Sequence, residues 1–123
     1  MKSSLEVSWI EVCRYDDLEP ERGVAALVGR LQVALFRLHD GSVHAVDHRD
    51  PFSGANVIAR GIVGSRGDVP TVTSPMYKQV FDLRTGRCLD QFEDQSEDQA
   101  EGPVAGLRVH PVRVTQGRVE VAA

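Results

Sequence analysis

The stretch Gln32-Val33-Ala34-Leu35-Phe36-Arg37-Leu38-His39-Asp40-Gly41-Ser42-Val43-His44-Ala45-Val46 decides the fold class. Two apolar runs, each too short for a stable helix, flank Asp40-Gly41. Asp-Gly between such runs is the strongest short-range hairpin signal, because a type I′ turn needs positive φ at its central residues. The reading is a strand over Gln32 to Leu38, a turn at Asp40-Gly41 and a second strand over Val43 to Val46.

The same short-range pattern extends outward in both directions. Before the hairpin, Ser8-Trp9-Ile10-Glu11-Val12 and Gly23 to Val28 read as strands. After it, Asp47 to Asp68 reads as a long Gly-rich loop in which Gly54, Gly61, Gly64 and Gly67 form turns. Val69 to Thr73 and Gln79 to Asp82 read as strands, and Thr85-Gly86 turns the chain into Arg87-Cys88-Leu89. A last pair, Leu107 to Val114 and Arg118 to Val121, is joined by Gln116-Gly117. Within it the apolar residues change phase, odd at Leu107 and Val109 but even at Val112 and Val114. A strand with one buried face changes phase only through an extra residue, so a bulge or bend is predicted at Pro111. Helical turns are expected only at Asp16-Asp17-Leu18-Glu19 and over Glu93 to Gly102. Many short strands with frequent turns predict an all-β, antiparallel sandwich or barrel.

The 123 residues fit one domain, 1–123, with its core over about 9–121. A chain of this length buries roughly two-thirds of its unfolded surface, enough for a real core. At 41% hydrophobic and 26% charged, it has an ordinary globular composition. The net charge of −4 gives no broad positive field, so neither nucleic acid nor an anionic membrane surface is an expected partner. Glu93, Asp94, Glu97, Asp98 and Glu101 gather five of the eighteen acids in an acidic loop over 93–102, leaving the remainder near neutral. That loop reads as a solvated segment, with a docking surface for a basic patch as the alternative. The longest apolar run, Val24 to Val28, is far below the roughly 20 residues of a membrane span. Met1 to Val7 turns charged before a signal-like segment builds up, so the expected location is cytoplasmic.

The inventory of reactive groups is thin. Neither a phosphate-binding G-x-x-x-x-G-K-[ST] nor a G-x-S-x-G elbow occurs. Cys13 and Cys88, 75 positions apart, read as separate buried thiols rather than a disulfide or metal pair. His44 and His48 fall on a strand and a loop, which separates them as ligands, and His39 and His110 add no companion at ligand spacing. Arg66-Gly67-Asp68 reads as a turn. What stands out is a pair of loops, Asp50-Pro51-Phe52-Ser53-Gly54 and Ser74-Pro75-Met76-Tyr77-Lys78. Each has Pro after a small polar residue and an aromatic two or three positions beyond that residue.

That spacing resembles the Rieske [2Fe–2S] domain, whose loops read C-P-H and C-P-x-H and supply two Cys and two His to the irons. The resemblance places Asp50 and Ser74 at the cysteine positions and Phe52 and Tyr77 at the histidine positions, so all four ligands are replaced. Phe cannot ligate iron, and Ser and Tyr are hard oxygen donors where soft ones are needed. With Cys13 and Cys88 outside both loops, the chain is expected to hold no cluster. The segments Asp50 to Gly64 and Ser74 to Cys88 closely resemble the small subunits of assimilatory NAD(P)H-dependent nitrite reductases, and the likeness runs from about Trp9 to Val121.

The resemblance implies a cluster-less, non-catalytic accessory subunit. Its large-subunit partner would carry FAD, an Fe–S cluster and sirohaem and reduce nitrite to ammonium. Two roles for the loops stay open. In one, Phe52, Met76 and Tyr77 fill the vacated volume while the Asp50 carboxylate accepts hydrogen bonds from backbone N–H groups or Ser74. In the other, the loop tips dock on the large subunit, with Met76 among the contacts and Arg60 and Lys78 nearby for charge pairing. A stand-alone interaction or sensor domain is the alternative function, and a [2Fe–2S] electron carrier lacks its ligands.

Overall fold

The computed structural model describes residues 8–89 and 106–122. In chain order its strands are β1 Trp9–Arg14, β2 Gly23–Val28, β3 Leu31–Arg37, β4 Val43–Asp47 and β5 Ile62–Arg66, followed by β6 Val69–Thr73, β7 Val80–Asp82, β8 Val109–His110, β9 Val112–Thr115 and β10 Arg118–Ala122. Two 3₁₀ turns, Tyr15–Asp17 and Ile58–Arg60, complete the elements. The strands form three sheets, ordered β1-β10-β9, β2-β3-β4-β8 and β5-β6-β7, and every strand-to-strand pairing among the described residues is antiparallel.

The four-stranded sheet lies between two cores, and β3 shows why. Val33, Ala34, Leu35 and Phe36 are all fully buried. Successive strand residues point to opposite faces, so a strand buried on both faces loses the polar alternation of a half-exposed one. Val33 and Leu35 join Leu18, Val28, Ala45, Val119 and Val121 on one side. Ala34 and Phe36 join Val46, Ile58, Val72, Phe81, Leu83 and Leu107 on the other. Truncating Phe36 to Ala would cost about 3–5 kcal/mol.

The phase change around Pro111 has a structural cause. Leu107 and Val109 pack into the core containing Phe36, whereas Val112 packs into the core containing Leu35. The chain switches sheets at Pro111: β8 pairs with β4, and β9 pairs with β10. Both are edge strands, where a missing N–H is harmless.

Several sequence expectations need correction. The β3–β4 hairpin exists, but its turn is not type I′. Gly41 has φ +93° while Asp40 does not have positive φ, and Gly41 N donates to Leu38 O at 2.9 Å, with Leu38 N donating to Ser42 O at 2.8 Å. This is a longer turn ending in a left-handed Gly, secured by Ser42 N and Oγ donating to Asp40 Oδ1. The two-residue turn with both φ values positive is Gln116-Gly117, at +52° and +78°. The Gly-rich stretch hides β5, so Gly64 is a strand residue rather than a turn former, and it hides the 3₁₀ turn Ile58–Arg60. After the turn at Thr85-Gly86, Arg87 and Cys88 form isolated bridges, Phe81 with Cys88 and Arg87 with Gly106. Cys13 is half-buried, not buried, and burial pushes its thiol pKa up, with Asp17 and Glu11 adding to the effect. The helical turn and acidic loop expected over 93–102 lie outside the described residues.

Candidate functional site

Asp50-Pro51-Phe52-Ser53-Gly54-Ala55 follows β4, and Ser74-Pro75-Met76-Tyr77-Lys78-Gln79 follows β6. The two loops share one hydrogen-bond scheme. Asp50 N donates to Ala55 O at 2.8 Å, and Ser74 N donates to Gln79 O at 2.9 Å. Gly54 N donates to Asp50 O at 2.8 Å, and Lys78 N donates to Ser74 O at 3.1 Å. Phe52 N donates to Asp50 Oδ1 at 2.7 Å, and Met76 N donates to Ser74 Oγ at 3.2 Å. The sequence explains the match. A short side-chain oxygen caps the N–H two residues on, and Pro at the second position presets φ with no N–H to satisfy. The fifth position is left-handed in both loops, Gly54 at φ +81° and Lys78 at φ +67°.

The loops meet through their first residues, as Ser74 Oγ donates to Asp50 Oδ2 and both residues are fully buried. Asp50 Oδ1 also accepts from Ser53 N at 3.2 Å. Together these bonds satisfy both carboxylate oxygens and use Ser74 Oγ as donor and acceptor at once, as buried polar groups require.

The structure brings Asp50 and Ser74 together but does not place Phe52, Met76 and Tyr77 in a vacated interior. They are 42%, 45% and 59% exposed, and this corrects the volume-filling reading. Asp50 and Ser74 bond directly to each other between the two loops, so the position between their first residues is filled by that polar pair rather than by the apolar side chains. Phe52 still rests obliquely on the buried Phe81, ring centroids 6.2 Å apart. Lys78 is exposed at its loop tip, and Arg60 is exposed at the end of its 3₁₀ turn.

The donor set does not fit a [2Fe–2S] cluster. Asp50 and Ser74 spend their oxygens on each other and on backbone N–H groups, Phe52 has no donor, and Tyr77 offers one hard phenol oxygen. Among the described residues, no three His, Cys, Asp or Glu side chains stand together as metal ligands.

Sequence reasoning passed over two positioning residues. His48, read only as a failed ligand, anchors the first loop. Its carbonyl accepts from Val57 N and Ile58 N, each at 3.0 Å, its N–H donates to Gln32 O at 3.2 Å, and its ring Nδ1 accepts from Ala59 N at 3.1 Å. Burial, aided by the Arg60 charge, holds its pKa below the usual imidazole range and favours the neutral ring this contact needs. Gly23 lets that turn approach β2, since a Cβ there would stand 2.2 Å from the Ala59 carbonyl oxygen. Neither role has a local sequence signal, because both depend on which segment packs opposite.

A family profile for the Rieske-like [2Fe-2S] domain matches residues 8–122. A crystal structure named as an NADH-dependent nitrite reductase small subunit from Mycobacterium tuberculosis superposes with TM-score 0.83 at 48% identity, covering 96% of each chain. The nitrite reductase (NADH) small subunit of Escherichia coli K12 is 41% identical over 83 residues, 67% of this chain and 77% of that one. The nitrite reductase [NAD(P)H] large subunit of Klebsiella oxytoca contains a segment 39% identical over 113 residues, 92% of this chain but only 11% of that protein's length. The chain belongs to the Rieske-like [2Fe-2S] domain family and, within it, to the nitrite reductase small subunits.

Proposed function

We propose that this chain, as one domain over 1–123, is a cluster-less accessory subunit of a cytoplasmic, nitrate-assimilating NAD(P)H nitrite reductase. It binds a large subunit that carries FAD, an Fe–S cluster and sirohaem, and it supports or regulates the reduction of nitrite to ammonium without supplying a reactive group. The observation that carries the non-catalytic part is the buried Asp50–Ser74 hydrogen bond. The two residues at the former cysteine positions are committed to each other, and they fasten the loops that a cluster would otherwise pin. Asp50, Phe52, Ser74 and Tyr77 are thus vestigial ligand positions.

Co-expression with the large subunit tests the reading. The chain should copurify with it, and NAD(P)H-dependent nitrite turnover or the yield of active enzyme should fall when the chain is omitted. A large subunit with the same yield, stability and turnover in its absence would contradict the accessory role.

A further inference from the structure

We propose that the two loop tips form the surface by which this chain docks on the nitrite reductase large subunit, an inference that rests on the function proposed above. Phe52, Met76 and Tyr77 are among the large hydrophobic side chains left exposed, and all three sit on these loops. Among the described residues, the other exposed large hydrophobics, Val24, Leu27, Leu31, Ile62 and Val114, are all aliphatic and lie on β2, β3, β5 and β9. Aromatic residues and Met concentrate in interface cores, where large apolar groups anchor in a partner's pockets.

The tips are also preorganised. The matched backbone bonds and the Asp50–Ser74 contact fix both loops before any partner arrives, which lowers the ordering cost of association. The charge is one-sided as well. The only carboxylate on the loops, Asp50, is buried, whereas Arg49 and Lys78 are exposed cations. Arg49 lies beside the first tip, for a Cβ at Gly54 would stand 3.4 Å from its Nη2. The surface that fits is an apolar depression rimmed by carboxylates. The large subunit is the occupant because the Klebsiella oxytoca large subunit carries a domain like this one in its own polypeptide. There the two are held together covalently.

Binding of the purified full-length chain to the large subunit, measured by surface plasmon resonance, tests the assignment. Tyr77→Ala and Met76→Ala should each weaken affinity about tenfold or more. Lys78→Glu should weaken it most at low ionic strength and less at high salt. Val114→Ser, on the sheet of β1, β9 and β10, should bind within about twofold of wild type. These side chains are half-exposed, so melting temperatures should stay near wild type and identify any variant that has lost its fold. Tip and Lys78 variants that all bind as wild type would overturn the docking face. A wild-type chain that fails to bind the large subunit would overturn the accessory function itself.

Discussion

Ser74→Ala removes the hydroxyl that joins the two loops and exposes the logic of the site to measurement. Ser74 Oγ donates to the buried Asp50 carboxylate and accepts from Met76 N. A hydrogen bond to a charged group contributes about 1.5–3 kcal/mol, and a neutral one about 1 kcal/mol. Asp50 keeps the bonds from Phe52 N and Ser53 N, and Met76 N lies near solvent, so the expected loss is about 3 kcal/mol. For a chain of this size that lowers Tm by roughly 10 °C. Asp50→Ala should cost at least as much, because it strands two backbone N–H groups and the serine hydroxyl. A double-mutant cycle by urea unfolding should give a coupling of about 2 kcal/mol, since the shared bond can be lost only once. A Ser74→Ala loss under about 0.5 kcal/mol, or strictly additive single losses, would refute the claim that this pair fastens the loops.

Lys78→Gly should stabilise the isolated chain. A left-handed non-Gly residue costs roughly 1–2 kcal/mol, and Gly gives back roughly 0.5–1 kcal/mol in chain entropy, so the urea midpoint should rise by the equivalent of about 0.5 kcal/mol. A fall in the midpoint would show that Lys78 has a structural role instead. Stability should also drop in mild acid. His48 and His44 both have folded pKa values below the ordinary 6.5, chiefly from burial, so the folded chain binds fewer protons than the unfolded one. The stability present above about pH 6.5 is therefore lost as the pH falls below it toward the lowered folded values. His48→Asn keeps a side-chain acceptor for Ala59 N but cannot titrate in this range. Its unfolding free energy should vary less steeply with pH between about 7 and 5, and an unchanged slope would place the titration elsewhere.

The sequence made the central hairpin legible because Asp-Gly turn chemistry and apolar run length are local signals. The bend at Pro111 was legible too, from the change of apolar phase after Val109, but the change of sheet was not, because it depends on which strands pair on either side of Pro111. β5 escaped notice because Ile62 and Val63 are followed by Gly64-Ser65-Arg66, an edge segment with little apolar pattern. The 3₁₀ turn Ile58–Arg60 has no side-chain cap to announce it. At the site, the Asp50–Ser74 contact was readable from residue chemistry once the loops were aligned. The outward placement of Phe52, Met76 and Tyr77 was not, because apolar residue type indicates a preference for burial but not whether the loop closes beneath it.

In this Rieske-like frame the two loops are fastened by Asp50 and Ser74. Iron and acid-labile sulfide assays with an absorption spectrum, on the chain purified under anaerobic conditions, test this most directly. The predicted result is no stoichiometric iron or sulfide and a colourless protein. About two irons and two sulfides per chain with a [2Fe–2S] spectrum would contradict it.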